Sequence, residues 1–261
     1  MLPIGTQFHN EAKHRLRRGE KLLGAWLQLC NPMSAEIFAR AGFDFLVVDL
    51  EHSPADFMTL LSQVQAISAY KTPTVVRTPW NDFVTFKRIL DTGVHGLHIP
   101  YVNTADEARA AVRGMRYAPE GIRGIAGSPR ALGYGLGAKD YFSTANEELL
   151  CIVALETPEA VANLDSMLAI KEVDGIFIGP FDLATSLGHT GNPGHPEVQA
   201  AIRGIEEKVV GSGKFLGTVA GDLNSASALF ERGYQWIVAM SDSVELSRQS
   251  TAMMNAFRAA K

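Results

Sequence analysis

Residues 151–182 read CIVALETPEAVANLDSMLAIKEVDGIFIGPFD, and they decide the fold. The run 151–155 is apolar throughout, and so is 175–178 after its leading glycine. A strand that faces water on one side alternates, whereas a strand covered on both faces is continuously apolar, the mark of a parallel sheet. Between the two runs, Ala160, Val161, Leu164, Met167 and Leu168 recur at helical spacing, behind Thr157 in an N-cap position. Strand, helix and strand, with both strands buried, form a βαβ unit.

The same alternation extends in both directions. Strands are predicted at 24–29, 45–49, 73–77, 96–99, 151–155, 175–178, 215–219 and 236–239. Amphipathic helices are predicted at 54–70, 81–92, 104–116, 158–170 and 195–211, with Thr104 opening one and Gly42, Gly93, Gly211 and Gly233 closing others. Eight strands separated by helices in 261 residues predict an α/β chain folded as one (β/α)8 TIM barrel over residues 1–261. A doubly wound open sheet would want a glycine-rich turn after the first strand, and QLCNP at 28–32 is not one. The longest irregular stretch is 117–141, rich in Gly and Pro, and a loop that long in a compact domain points to function.

Composition narrows the function classes. The net charge is −4, with 46% hydrophobic and 20% charged residues, so there is no electrostatic case for nucleic acid. The one basic cluster, KHRLRR at 13–18, reads as the solvated face of a first helix. Cys30 and Cys151 lack metal or redox spacing and read as reduced thiols, which with the absence of an apolar leader at the N-terminus gives a cytoplasmic expectation. No apolar run is long enough to span a membrane.

In a barrel the chemistry sits at the C-terminal ends of the strands. There the sequence places Asp49, Glu51 and His52 after the second strand, Arg77 at the end of the third, Glu156 after the fifth, and Gly179, Pro180, Phe181 and Asp182 after the sixth. Glu156 and Asp182 are candidate ligands for a hard divalent cation, which takes carboxylate oxygens and keeps open positions. The competing reading makes them caps of the helices near 158 and 183. Arg77 suits a planar carboxylate or enolate oxygen, or else an internal salt bridge to Asp49. His52 is the acid/base candidate, with Asp49 three residues earlier to orient its ring. His95 and His98 read as core or wall residues. His189 and His195 share a Gly/Pro turn, but no third ligand completes a usual pattern around them. The backbone N–H groups at 179–183 would favour a substrate carboxylate. No predicted strand carries a lysine, so imine chemistry lacks its nucleophile and a metal-stabilised enolate is favoured.

Five segments together resemble the HpcH/HpaI aldolase family of class II pyruvate aldolases: FLVVDLEHSP (45–54), VVRTP (75–79), RYAPEGIRG (116–124), LETPEAVANLD (155–165) and VDGIFIGPFDLATSLGHTGNPGHPEVQAAI (173–202). The resemblance implies that Glu156 and Asp182 bind Mg2+, Mn2+ or Co2+, with no organic cofactor. It implies that Arg77 holds the 2-oxo oxygen, that His52 with Asp49 handles the aldol hydroxyl proton, and that Phe181 and Asp182 offer N–H groups to the substrate carboxylate. Asp91 matches a position that reaches the histidine of a neighbouring subunit. The implied assembly is a hexamer, a trimer of dimers, in which the helix-like segment 243–260 is exchanged. One departure is Ala154, where many family members carry Gln. The implied activity is reversible cleavage of 4-hydroxy-2-oxo acids to pyruvate, or a similar acid such as hydroxypyruvate, and an aldehyde. The rivals are an oxaloacetate-type decarboxylase, an acyl-CoA lyase on the same site, and a non-catalytic barrel.

Overall fold

The computed structural model describes residues 8–261; the leader expectation and the start of the 1–261 domain rest partly on residues 1–7, which lie outside it. The elements in chain order are α1 (Glu11–Arg17), β1 (Leu22–Leu27), α2 (Pro32–Ala41), β2 (Phe45–Asp49), α3 (Phe57–Ile67), β3 (Thr74–Arg77), α4 (Phe83–Leu90), β4 (Gly96–Ile99), α5 (Ala105–Met115), α6 (Ala138–Glu148) and β5 (Leu150–Leu155). Then come α7 (Pro158–Ala162), α8 (Leu164–Leu168), β6 (Gly175–Ile178), α9 (Pro180–Ser186), α10 (Pro196–Val209), β7 (Phe215–Val219), α11 (Leu223–Glu231), β8 (Trp236–Ser241) and α12 (Asp242–Ala259). The eight strands pair in sequence order, all parallel, and β8 closes on β1: a (β/α)8 TIM barrel. Among the described residues no helix is long and apolar enough to cross a membrane.

Period two sorts every strand into an inward and an outward set. Leu22, Trp26, Phe45, Val47, Val75, Leu150, Ile152, Phe177, Phe215, Trp236 and Val238 fill the barrel. Their outward neighbours, such as Leu46, Val48, Val76, Leu97, Val153 and Ile176, pack under the helices. The register sets Asp49 beside Arg77 and Ala154 beside Phe177. Continued past the strand ends, the inward set contains Gln28, Asp49, Glu51, Arg77, Glu156 and Gly179, so the fold alone gathers them over the barrel mouth.

Three local expectations are corrected. The stretch 117–141 is not wholly irregular: a 3-10 turn at Arg130–Gly135 leads into α6, which buries Tyr141 and Ala145. The expected helix at 158–170 breaks at Asn163, which ends α7 and begins α8 while its side chain donates to the Asn103 carbonyl at 2.9 Å. The basic cluster is not wholly solvated, because Lys13 is buried and pairs with Asp174 at 2.9 Å. With Ala12 and Leu16 it closes the N-terminal end of the barrel. Both cysteines are free, as expected.

Candidate active site at the C-terminal rim

Asp49 is fully buried and is the hub of the site. Its oxygens accept Arg77 Nε at 2.9 Å and Nη2 at 2.7 Å, a bidentate pair, and Gln28 Nε2 at 2.9 Å. Burial alone would raise the Asp49 carboxyl, but the Arg77 and Gln28 hydrogen bonds bring it below the ordinary carboxylate range. The Arg77 guanidinium lies 4.4 Å above the Trp26 ring, so its faces and edges are fixed from below and from the side. Its Nη1 stands 3.3 Å from Glu51 Oε2. That contact has ion-pair distance without hydrogen-bond geometry, and Glu51 Oε2 is left buried with no hydrogen-bond partner. Of the two sequence readings of Arg77, the salt bridge to Asp49 is present, and it leaves Nη1 facing the site.

The expected orienting contact between Asp49 and the His52 ring is not made. Asp49 accepts the His52 main-chain N–H at 3.3 Å instead, because the chain turns over the carboxylate as it leaves β2. The His52 side chain is 57% exposed, with Nε2 3.7 Å from Glu51 Oε2. Asp91 ends α4, away from the rim of its own barrel, and accepts Arg123 Nη2 at 2.9 Å. Arg123 and Arg130 anchor the long loop, Arg123 between Tyr117 and Tyr141, and Arg130 on the Thr92 carbonyl at 2.6 Å.

Neither Glu156 nor Asp182 serves as a cap. Thr157 caps α7, and α9 begins at Gly179 without a side-chain bond. Glu156 is 3% exposed, and its Oε2 accepts the Tyr101 N–H at 2.9 Å. Tyr101 holds a positive φ of 51° to aim that N–H. Burial, reinforced by the charges of Asp182 and Glu51, pushes the Glu156 carboxyl up to about 7. Burial, with Asp49 and Asp182 nearby, also raises Glu51. Gly179 makes room for this packing, since a Cβ there would stand 2.8 Å from both Cγ and Oε1 of Glu156. The N–H groups of Phe181 and Asp182 precede the first helical bond of α9, Leu183 N–H to the Gly179 carbonyl at 2.9 Å.

Asp49, Glu51 and Glu156 thus share the field of one guanidinium that Asp49 already occupies, and Asp182 adds its charge beside Glu51 and Glu156. The orphaned Glu51 oxygen, the glycine cradle and an all-oxygen donor set fit a hard divalent cation. Gln28 was missed by sequence reasoning and Glu51 was placed at the rim without a role, although period-two counting would have turned both inward. The eight strands contain no lysine. His98 lies in the core and the half-buried His95 lies in the wall, stacked on Phe8, as expected of a core or wall pair. His95 Nδ1 accepts the Thr74 N–H at 3.1 Å, and His98 packs on Phe177 with centroids 4.4 Å apart. A cavity of about 500 Å³ lined by Lys13, Arg17, Lys171, Asp174 and Lys214 lies at the opposite, N-terminal end and has no part in this rim. Beyond the 188–196 turn, Glu197 brings a carboxylate oxygen to within 4.8 Å of a ring nitrogen of His189 and of His195.

Comparison with known proteins bears on this geometry. The model of the family described as HpcH/HpaI aldolase/citrate lyase matches residues 22–248. A 4-hydroxy-2-oxo-heptane-1,7-dioate aldolase of Klebsiella pneumoniae is 41% identical over 95% of this chain and 94% of its own length. The crystal structure of a HpcH/HpaI aldolase/citrate lyase family protein from Burkholderia cenocepacia superposes with a TM-score of 0.91 at 38% identity, covering 95% of this chain and 99% of the other. That of a HpcH/HpaI aldolase from Desulfitobacterium hafniense gives 0.88 at 29% identity, covering 97% of each chain.

Proposed function

The chain belongs to the HpcH/HpaI aldolase/citrate lyase family and is an aldolase, a carbon–carbon lyase, and from that premise we propose that it reversibly cleaves 4-hydroxy-2-oxo acids to pyruvate, or a similar 2-oxo acid such as hydroxypyruvate, and an aldehyde, with a divalent metal ion held by Glu156 and Asp182. The observation that carries this reading is the surplus of negative charge. Burial and the charges of Asp182 and Glu51 raise the Glu156 carboxyl, Glu51 Oε2 is buried without a hydrogen-bond partner, and the Arg77 guanidinium beside them is bound to Asp49. A carboxyl raised first by burial and then by neighbouring carboxylates is a group whose charged form a cation would stabilise.

The ion, Mg2+, Mn2+ or Co2+, supplies positive charge at the 2-oxo oxygen when bound. The chain's own groups do the rest. Phe181 and Asp182 present N–H groups to the substrate carboxylate. Arg77, locked by Asp49 and Trp26, directs Nη1 at the 2-oxo oxygen, where negative charge grows as the C3–C4 bond breaks. His52 at the rim takes the 4-hydroxyl proton, the electron pair of the O–H bond becomes the aldehyde carbonyl, the C3–C4 pair becomes the C2–C3 double bond as the carbonyl pair moves onto the 2-oxo oxygen, and a proton from water at C3 then releases pyruvate. His52 lacks a carboxylate against its ring within its own chain apart from Glu51. Asp91, fixed by Arg123 and 26% exposed, is suited to meet the His52 of a neighbouring subunit.

Assembly is part of the proposal. Helix α12 is anchored only at its start, by Asp242 accepting the Gln28 and Leu29 N–H groups at 2.8 and 3.2 Å. From Leu246 onward every residue is exposed, including Met253 and Phe257, while Met33 and Ile37 lie bare on α2. Exchange of α12 between copies, within a hexamer, covers both faces. The test is a panel of aldehydes with pyruvate and with hydroxypyruvate, run with each metal and after chelation. Aldehyde-dependent condensation that vanishes on chelation and returns with metal supports the reading. Carbon dioxide release from oxaloacetate with no turnover of any aldehyde would replace it with a decarboxylase.

A further inference from the structure

Among the described residues, two groups of side chains able to ligate a metal lie outside the rim. In one, on α1 and at the end of α6, Glu148 is already committed: its oxygens accept the Asn10 N–H at 2.6 Å and meet His14 Nε2 at 2.9 and 3.0 Å. The other lies on the turn from α9 to α10. There the rings of His189 and His195 stack at 3.4 Å between centroids and 17° between planes. Glu197 closes the group with Oε2 2.8 Å from His189 Nε2. One donor atom from each residue lies within 4.8 Å of the others.

We propose that His189, His195 and Glu197 form a second metal site that takes a borderline transition ion such as Zn2+ or Ni2+ and staples the loop after α9 to the first turn of α10. Tetrahedral zinc, with bonds of about 2.0–2.1 Å, holds its ligand atoms roughly 3.4 Å apart, and because the lone pairs of stacked rings run side by side, closure needs one part-exposed imidazole to turn out of the stack until both lone pairs meet at the ion. The turn itself is already fixed. His189 N–H donates to the Ala184 carbonyl at 2.7 Å, Asn192 N–H to the His189 carbonyl at 2.9 Å, and His195 N–H to the Asn192 carbonyl at 3.1 Å. The backbone that carries the ligands is therefore closed, and only side-chain torsions need change on binding. His195 Nδ1 accepts the Glu197 N–H at 3.3 Å, which leaves its proton on Nε2 and makes Nδ1 the ligating atom. Metal ligation replaces only that long cap bond. On His189, the ion takes the place of the proton shared between Nε2 and Glu197. Two imidazoles and one carboxylate select Zn2+, Ni2+ or Cu2+ over Mg2+ and Mn2+, the reverse of the all-oxygen rim.

That difference in preference makes the site testable independently of the rim. The intact protein is saturated with Mg2+ and titrated with Zn2+ by calorimetry and thermal unfolding, alongside His189→Ala, His195→Asn and Glu197→Gln; Asn retains a helix cap without the imidazole. We expect one Zn2+ per wild-type chain, and a rise in Tm of roughly 5–10 °C at a hundredfold excess over Kd. Each variant loses both the ion and the rise while turning over normally with Mg2+. The proposal is overturned if wild type takes up no Zn2+ under these conditions, if the variants bind it as wild type does, or if His189→Ala loses turnover with Mg2+ alone.

Discussion

Replacing Gly179 by Ala asks whether the position of Glu156 matters more than its presence. The glycine has φ −91° and ψ 91°, a conformation open to alanine, so no backbone strain accompanies the change. The added Cβ would stand 2.8 Å from Glu156 Cγ and Oε1, and 3.2 Å from Cδ. Carbon atoms rest at about 3.5–4.0 Å, so the Glu156 side chain must retreat by roughly an ångström. It is 3% exposed and tied by Oε2 to the Tyr101 N–H at 2.9 Å, so the retreat is forced along a path that moves the ligating oxygen. Metal sites tolerate about 0.2 Å, and a misplacement of about 1 Å in a reacting constellation costs on the order of 10²-fold. We therefore expect kcat/KM for pyruvate release to fall on the order of 10²-fold and Mn2+ affinity to fall with it, while the protein stays folded. Gly204→Ala, in α10 with nothing within 4 Å of the added methyl, is the control and should leave both unchanged. The assays are steady-state kinetics and Mn2+ titration by electron paramagnetic resonance. Retention of both activity and affinity within about threefold in Gly179→Ala would refute the reasoning.

Four further outcomes are expected. Arg77→Ala leaves the fully buried Asp49 without its partner and should cost about 3–5 kcal/mol of stability by denaturant unfolding. Arg77→Lys should keep most of the stability but lose on the order of 10²–10³ in kcat, because the bidentate fork is gone; normal turnover would remove Arg77 from the chemistry. For Glu156, the folded pKa of about 7 lies above the ordinary 4.5, so the metal-free protein is stabilised by protonation below 4.5 and loses that stability as pH rises through 7. His95 and His98, held at about 4 and about 3, act in the opposite direction, so the informative quantity is a difference. Metal-free Glu156→Gln should match wild type near pH 4.5 and exceed it by about 3 kcal/mol above pH 7, and a pH-independent difference would contradict the assignment. Removing residues 247–261, all of them exposed, should lower the mass found by light scattering; an unchanged mass would show that α12 does not hold the assembly.

The barrel was legible because its strands are continuously apolar. FLVVD at 45–49, GLHI at 96–99, GIFI at 175–178 and FLGTV at 215–219 are read to the residue. The first strand was read two residues late because Gly24 looks like a strand start, although Leu22 and Leu23 already pair with β8. At the rim, the sequence shows which side chains follow each strand but not where a ring turns once the strand has ended. Asp49 and His52 are three residues apart, yet the carboxylate faces Arg77 and meets only the His52 main chain. Gln28 and Glu51 sit on the inward parity beyond their strands, a signal present but unused. Glu197 was invisible for a different reason: its place beside His189 depends on a turn that folds eight residues back on themselves.

Binding of Mn2+ to the chelated, metal-free protein, measured with and without pyruvate, bears most directly on the carboxylate rim. We expect one ion per chain, tightened by pyruvate, with Asp182→Asn and Glu156→Gln each abolishing both the binding and the turnover. Full turnover in rigorously metal-free protein, or Mn2+ binding that survives the loss of both carboxylates, would contradict it.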